Sequence, residues 1–458
     1  MSIKNSIRNF HSKHRFTPSN SISRFNLPAH SSNSSRSPTF IKLNDSIKSQ
    51  FNTLVPLLAI KIPTNSINEF KSHPFIKTSI LKSKSLRSVE PDPDSKDGSH
   101  KLLLLNTSKI EEIPQSTLTY FKENSIELKN WNLELNWDYW NADEVLSSLL
   151  PTELSDIPSS FTIIGHIAHF NLRDEFLPFK YLIGQVILEK NLAIKTVVNK
   201  IDSINSQFRF FQMELLAGEP NYQVTLWQSG CRYRFDFSKV YYNPRLSTEH
   251  DLLSSKIQKD EIVVDAFAGV GPFALRAASS QKAWVFASDL NPSSVEALRV
   301  NVKLNKLQGR VQVSEGDGRE RIRKSVFELW HSNPLNLPSL KLKLVDHFII
   351  NLPDSSIGFL DAFIGLYDCL VDSPGFLECL EQQKKLPLLH CYCFTKKVEV
   401  AEMDINERVS QVLKYKIDSS QAKRYELKFV RQVAPHKEMY RITFELPIEV
   451  LLSCKKNI

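Results

Sequence analysis

A chain of 458 residues exceeds the usual size of one domain and points to two or three. With 41% hydrophobic and 24% charged residues it can build ordinary soluble cores, and a net charge of +8 is compatible with a polyanionic partner. No apolar run is long enough to span a bilayer, and six cysteines without a CxxC pair argue against a disulfide scaffold and a structural zinc.

Residues 1–44 carry Lys4, Arg8, Lys13, Arg15, Arg24, Arg36 and Lys42, many serines, and no acidic residue before Asp45. That is the composition of an organellar transit peptide, with a disordered basic tail as the alternative. A mitochondrial matrix address is expected, and nuclear and cytoplasmic pools stay open. Residues 50–130 alternate apolar runs such as Leu54–Ile60 and Leu102–Leu105 with polar loops, of which Pro91–Gly98 is the plainest. They read as a small α/β module without visible chemistry. Residues 131–238 form a second expected unit. Phe161–Phe170 reads as a strand kinked at Gly165, Phe179–Leu188 as a helix, and Thr196–Val198 and Phe208–Leu215 as strands. Lys190, Lys195, Lys200, Arg209, Arg232, Arg234 and Lys239 set cations among aromatics, a mixture that suits phosphate contacts with base stacking and equally a solvated sheet face.

Residues 239–458 alternate strands and helices as an open, mostly parallel sheet requires. Tyr241–His250 precedes the most informative stretch by about one helix. There, Val263-Val264-Asp265-Ala266-Phe267-Ala268-Gly269-Val270-Gly271-Pro272-Phe273 is a strand, a glycine turn and a helix start. Gly269 and Gly271 permit a tight turn and close approach to a ligand, and Pro272 suits the first helical position. This is the nucleotide-binding turn at the carboxyl end of a first strand. The spacing also fits a relaxed dinucleotide fingerprint. Asp289 and Asp317 close the next two strands as Asp265 closes the first, and an acidic pocket suits a sulfonium better than a pyrophosphate. S-adenosylmethionine is therefore the favoured ligand. Asn351-Leu352-Pro353 ends the fourth strand, where an amide can face a planar substrate; Asp354 stands where amino-methylating enzymes carry an aromatic residue.

Arg209, the Tyr241–His250 run, the Asp265–Phe273 turn and Asn351-Leu352-Pro353 occur in order, together with Ile164–Arg173, Leu216–Glu219 and Val433–Tyr440. In this ordered set the chain resembles the archaeal and eukaryotic tRNA (guanine-N1)-methyltransferases that modify guanosine 37, over residues from about 50 to near the carboxyl terminus. The resemblance implies a class I S-adenosylmethionine-dependent methyltransferase domain, Rossmann-like with a mostly parallel sheet, behind smaller α/β RNA-recognition domains. It implies Glu249 as general base, Arg209 and Asn351 at the guanine O6 edge, and Tyr241 and Arg245 ordering the substrate and its loop. His250 stands where some relatives carry Arg. The donor would lie against His250, Asp265, Gly269, Gly271, Asp289, Leu290, Asp317, Gly318 and Asn351. A folded tRNA is the implied partner of a monomer without metal, the 50–130 module contacting the outer corner of that tRNA. Two competing readings are an aminocarboxypropyl transferase of the wybutosine pathway, which need not deprotonate N1, and an RNA-binding protein that keeps the cofactor fold without turnover.

Overall fold

The computed structural model describes residues 41–83, 86–154, 156–158, 160–204, 211–332, 344–383 and 385–453. The chain divides into two compact units: residues 1–161, 170–198 and 215–219 form one, and residues 162–169, 199–214 and 220–458 the other. The expected boundaries at 130 and 238 do not coincide with this division, because the chain crosses between units repeatedly from residue 161 to 220.

In the first unit an antiparallel sheet runs in the order Val89–Pro91, His100–Leu104, Thr53–Pro63, Leu128–Leu135. Strand periodicity sends Leu58, Ile60 and Ile62 to one face, where they pack with Leu103, Ile76, Ile80 and Phe121 of the helix Gln115–Glu123. Asn141 and Glu144 close a capping box at the start of the helix Ala142–Leu149.

The second unit holds a seven-stranded sheet. Its strands are Ile262–Asp265 (β1), Trp284–Asp289 (β2), Val311–Glu315 (β3), His347–Ile350 (β4), Leu388–Thr395 (β5), Glu426–Ala434 (β6) and Lys437–Glu445 (β7). The spatial order is β3-β2-β1-β4-β5-β7-β6. Strands β1 to β5 are parallel, while β7 lies antiparallel between β5 and β6. The helices used below are Ser247–Lys256 (α1), Pro272–Ser280 (α2), Pro292–Leu304 (α3) and Gly318–Ser332 (α4). The order reverses between β1 and β4, which opens a crevice beyond their carboxyl ends.

The two faces of the sheet differ. Phe348, Ile350, Leu389, Cys391, Cys393, Ile442 and Phe444 build one continuous apolar core with Ile322, Val326 and Leu329 of α4. The alternate residues His347, His390, Tyr392, Arg441 and Thr443 are equally buried and polar. Among the described residues all five cysteines are free, and no His, Cys, Asp or Glu cluster could hold a metal ion.

The stretch read as one kinked strand at Phe161–Phe170 is two strands, Thr162–Ile164 and Ile167–Phe170, paired antiparallel. Gly165 takes φ 59°, which turns the chain back on itself. A second hairpin, Gln223–Gln228 with Cys231–Asp236, is fastened to α3. Asn301 Oδ1 accepts the Arg234 N–H at 2.7 Å while its Nδ2 donates to the Val270 carbonyl at 3.0 Å. One fully buried amide thus ties the hairpin to the glycine turn. Asn301→Ala strands a donor and an acceptor, so urea unfolding should show a loss of about 2–4 kcal/mol; a loss under about 0.5 kcal/mol would mean the two backbone groups find other partners.

Candidate active site

The crevice between β1 and β4 is rich in acceptors that lack donors. Asp265 ends β1 fully buried, and neither carboxylate oxygen meets a donor at full hydrogen-bond geometry. Burial, reinforced by the charge of Asp289, pushes its pKa from 3.8 up to about 7, softened only slightly by the Phe267 and Ala274 backbone N–H groups. Across the crevice, Asn351 Oδ1 is buried and also unpartnered. Such a site calls for a ligand that brings N–H donors and positive charge, as the ammonium and sulfonium of S-adenosylmethionine do.

The glycine turn is shaped by β2. Asp289 Oδ2 accepts the Gly269 N–H at 2.8 Å and Oδ1 the Asn291 N–H at 2.9 Å. Desolvation still holds the Asp289 carboxyl above its ordinary value. The two glycines have different reasons to be glycine. A Cβ on Gly269 (φ +55°) would meet nothing within 4 Å, so that side of the turn faces open space. A Cβ on Gly271 (φ +97°) would lie 2.5 Å from Leu298 Cδ1, so that position serves packing against α3. The close approach expected at both glycines therefore faces open space at Gly269 and protein at Gly271. Gly318 likewise makes room for protein, since a Cβ there would sit 2.4 Å from the Phe267 ring. Asp317 caps α4 by accepting the Arg319 N–H at 2.9 Å, and Leu290 is exposed beside Asp289.

Glu249 sits in the first turn of α1, buried, and three donors converge on it. Oε1 accepts from Arg441 Nε at 2.8 Å and from the Tyr392 hydroxyl at 3.1 Å; Oε2 accepts from Lys428 Nζ at 2.6 Å. The register places Arg441 opposite both Tyr392 and Lys428, so β5, β6 and β7 each supply one donor. Arg441 is wholly buried, whereas the Lys428 side chain keeps 29% of its surface. Burial and the Glu249 charge raise the Tyr392 pKa well above its ordinary value, which keeps the hydroxyl a donor. Phe273 of α2 lies 4.6 Å from the His250 ring and 5.3 Å from Tyr392, packing the α1 end against the glycine turn. Burial pushes His250 down to about 4, so it is neutral at pH 7.

Tyr241 and Arg245 are exposed, and Asn243 Oδ1 accepts the Arg245 N–H at 3.1 Å to shape their loop. Arg209 lies outside the described residues. The expected donor-site residues Asp265, Gly269, Asp289, Asp317 and Asn351 thus come to adjacent strand ends, while Glu249 is placed by a cation set the sequence reading did not name. One signal for that set was present. Lys428 and Arg441 occupy polar positions in otherwise apolar alternations, and like charges directly opposite repel unless an anion joins them.

The TRM5/TYW2 methyltransferase domain family matches residues 225–329, and the TYW2 N-terminal domain family matches residues 142–221. A tRNA (guanine(37)-N(1))-methyltransferase of Puccinia graminis f. sp. tritici is 66% identical over 96% of this chain and 86% of its own. The enzyme of that name from Schizosaccharomyces pombe is 43% identical over 77% of this chain and 84% of its own, and that from Homo sapiens 38% over 82% and 71%. Among solved structures, the complex of aTrm5 with tRNALeu aligns with TM-score 0.59 and 21% identity, covering 85% of this chain and 100% of that one. Trm5b from Pyrococcus abyssi aligns with TM-score 0.57 and 23% identity, over 85% and 99%. At these identities the structures speak for the fold, a Rossmann-like methyltransferase domain with a mostly parallel sheet.

Because the Asp265 carboxyl is raised in the fold, its contribution to stability is complete below about pH 4 and is lost as pH rises through about 7. At about 1.4 kcal/mol per pH unit, the ligand-free protein should lose about 3 kcal/mol more than Asp265→Asn between pH 5 and 8. Urea unfolding at both pH values measures this, and added S-adenosylmethionine should flatten the difference. Equal slopes in the two proteins would show that Asp265 does not carry the effect. Gly269→Ala should weaken donor binding at least tenfold with little change in unfolding midpoint, and Gly271→Ala should do the reverse; calorimetry and thermal melts separate the two.

Proposed function

The chain belongs to the tRNA (guanine(37)-N1)-methyltransferase family, and we propose that it transfers a methyl group from S-adenosylmethionine to N1 of guanosine 37, next to the anticodon. The observation that carries the mechanism is the buried Glu249 carboxylate, fixed through Oε1 by two donors and through Oε2 by Lys428 alone. When bound, S-adenosylmethionine supplies a methyl group made electrophilic by its sulfonium. Asp265, Asp289 and Asn351 would hold it, with Gly269 leaving it room; His250, Gly271, Leu290, Asp317 and Gly318 would shape the surrounding wall.

Guanine N1 carries a proton at neutral pH and is no nucleophile until that proton leaves. Glu249 takes it. Arg441 and Tyr392 keep Oε1 in place, so the accepting atom is Oε2. The N1–H reaches Oε2 by displacing Lys428, a partly exposed ammonium on a flexible stem. Negative charge then builds at O6, where Arg209 and Asn351 donate to it. Tyr241 and Arg245, exposed on the loop before α1, order the incoming nucleotide. The target base leaves its stack to reach these groups, since N1 is covered within one.

The TYW2 match over residues 142–221 keeps aminocarboxypropyl transfer as the second reading. The relatives' names favour methyl transfer, as does the placement of a carboxylate that the rival chemistry does not need. Residues 1–44 further support a mitochondrial matrix location, which microscopy of a carboxyl-terminally tagged chain tests; residues 1–40 lie outside the described residues.

A transcript with guanosine 37, incubated with methyl-labelled donor, should yield N1-methylguanosine, and a matched adenosine 37 transcript should stay unlabelled. Label retained from the donor's carboxyl carbon instead would establish the aminocarboxypropyl reading. Glu249→Gln should lower the single-turnover rate by about 10²–10⁴-fold while cofactor and tRNA still bind. Near-normal turnover would remove Glu249 as the base. Arg209→Ala should likewise slow the chemical step at saturating tRNA; a change in tRNA affinity alone would reassign it to phosphate contact.

A further inference from the structure

The hairpin Gln223–Gln228/Cys231–Asp236 presents one outward face to solvent that the reaction does not use. Its strands alternate strictly: Val224, Cys231, Tyr233 and Phe235 are buried, whereas Thr225, Trp227, Arg232 and Arg234 are exposed. Ser229 and Gly230 both take positive φ, 51° and 75°, as a two-residue I′ turn requires. Trp227 is 64% exposed, an unusual state for the largest aromatic side chain. It stands directly across from Arg232, whose guanidinium carbon lies 5.4 Å from the ring centroid; Arg234 faces Thr225 one pair further along. Among the described residues no carboxylate forms an ion pair with either arginine.

This face is held rigid. Asn305 Oδ1 accepts the Arg232 N–H at 2.8 Å while its Nδ2 donates to the Arg232 carbonyl at 2.7 Å, and Asn301 fixes Arg234. The residue after Trp227 reaches the active-site loop: Gln228 Nε2 donates to the Pro244 carbonyl at 3.2 Å, and its Oε1 accepts the Tyr242 hydroxyl. A flat aromatic ring beside two unneutralised guanidinium groups, on a braced ribbon tied to the loop that bears Tyr241 and Arg245, has the makings of a nucleotide platform.

We infer that the Trp227–Arg232–Arg234 face is an RNA-docking surface, on which an unpaired loop nucleotide of the substrate stacks against Trp227 while Arg232 and Arg234 contact its flanking phosphates. The inference rests on tRNA being the substrate. Bases in a duplex are already stacked, so the ring selects single-stranded nucleotides. The two arginines, without an acidic partner among the described residues, supply the charge that a phosphate backbone needs. A protein partner would more often find an apolar surround at such a tryptophan, and here the neighbours are cationic and polar.

The test uses the full chain and a tRNA transcript with guanosine 37. Trp227→Ala should raise the tRNA Kd about tenfold, in line with one lost base stack. Trp227→Phe should restore most of that affinity, and Trp227→Ala should leave S-adenosylmethionine affinity and the single-turnover rate at saturating tRNA unchanged. The Arg232→Gln/Arg234→Gln double variant should flatten the slope of log Kd against log salt by about one to two. Unchanged tRNA Kd in Trp227→Ala together with an unchanged salt slope in the double variant would overturn the inference and leave the face for a protein partner. A drop in rate at saturating tRNA without loss of affinity would also overturn it, by moving Trp227 into the active-site support. If the wild-type chain neither binds nor methylates the transcript, the substrate reading itself falls, an outcome distinct from either.

Discussion

A carboxylate taken out of water must be matched where it stands, and the ion pair of Glu249 with Arg441 is the match on which this site depends. Both partners are buried, and each keeps a second counter-charge: Lys428 on Glu249, and Glu426, 3.2 Å from Arg441 Nη2. Such pairs add little to stability compared with well-packed apolar residues. What this one fixes is position. Arg441 Nη1 also donates to Thr443 Oγ1 at 3.0 Å; Thr443 meets His390 Nδ1 at 2.9 Å, His390 meets His347 at 2.9 Å, and His347 meets Glu261 at 2.8 Å. Burial, with the neighbouring His347 and Arg441, pushes the His390 pKa well down, so a neutral ring fills the centre of this chain. The line of polar contacts runs across β7, β5 and β4 on the face opposite the apolar core. Arg441 cannot shift without disturbing it.

The sheet thereby divides its labour. The ends of β1 to β4 carry acceptors in want of a cation, Asp265 and Asn351 above all. Strands β5 to β7 carry donors that gather around an anion. Tyr392 is common to both, since it donates to Glu249 and also feels the charge of Asp265. Electrostatic order of this kind is specified by strand position, and the antiparallel insertion of β7 is what sets Arg441 between Tyr392 and Lys428.

The glycine-turn half of the candidate site is legible in the sequence because its grammar is local. A strand, an acid, two glycines and a proline stand within a dozen residues, and the next three strands each lead into an acid or amide. Of the carboxylate clamp, only Glu249 is legible there. Its partners lie 143, 179 and 192 residues away, joined by strand pairings that no short-range pattern encodes. The glycine turn shows a subtler gap: the sequence marks Gly269 and Gly271 alike, yet a Cβ would meet open space at one and Leu298 at the other. A single glycine gives the same sequence signal in a kinked strand and in the hairpin at Gly165, and only the antiparallel register distinguishes them.

Strand order in space differs here from order in time. A chain emerging from the ribosome carries Asp265, Asp289 and Asn351 soon after β4 has been made, but Lys428 and Arg441 belong to the later strands β6 and β7. Until they arrive, Glu249 has neither cation, and β5 is an uncovered sheet edge. Insertion of β7 closes that edge and completes the clamp in one event. Synthesis therefore delivers the residues of the crevice well before the two cations that hold Glu249.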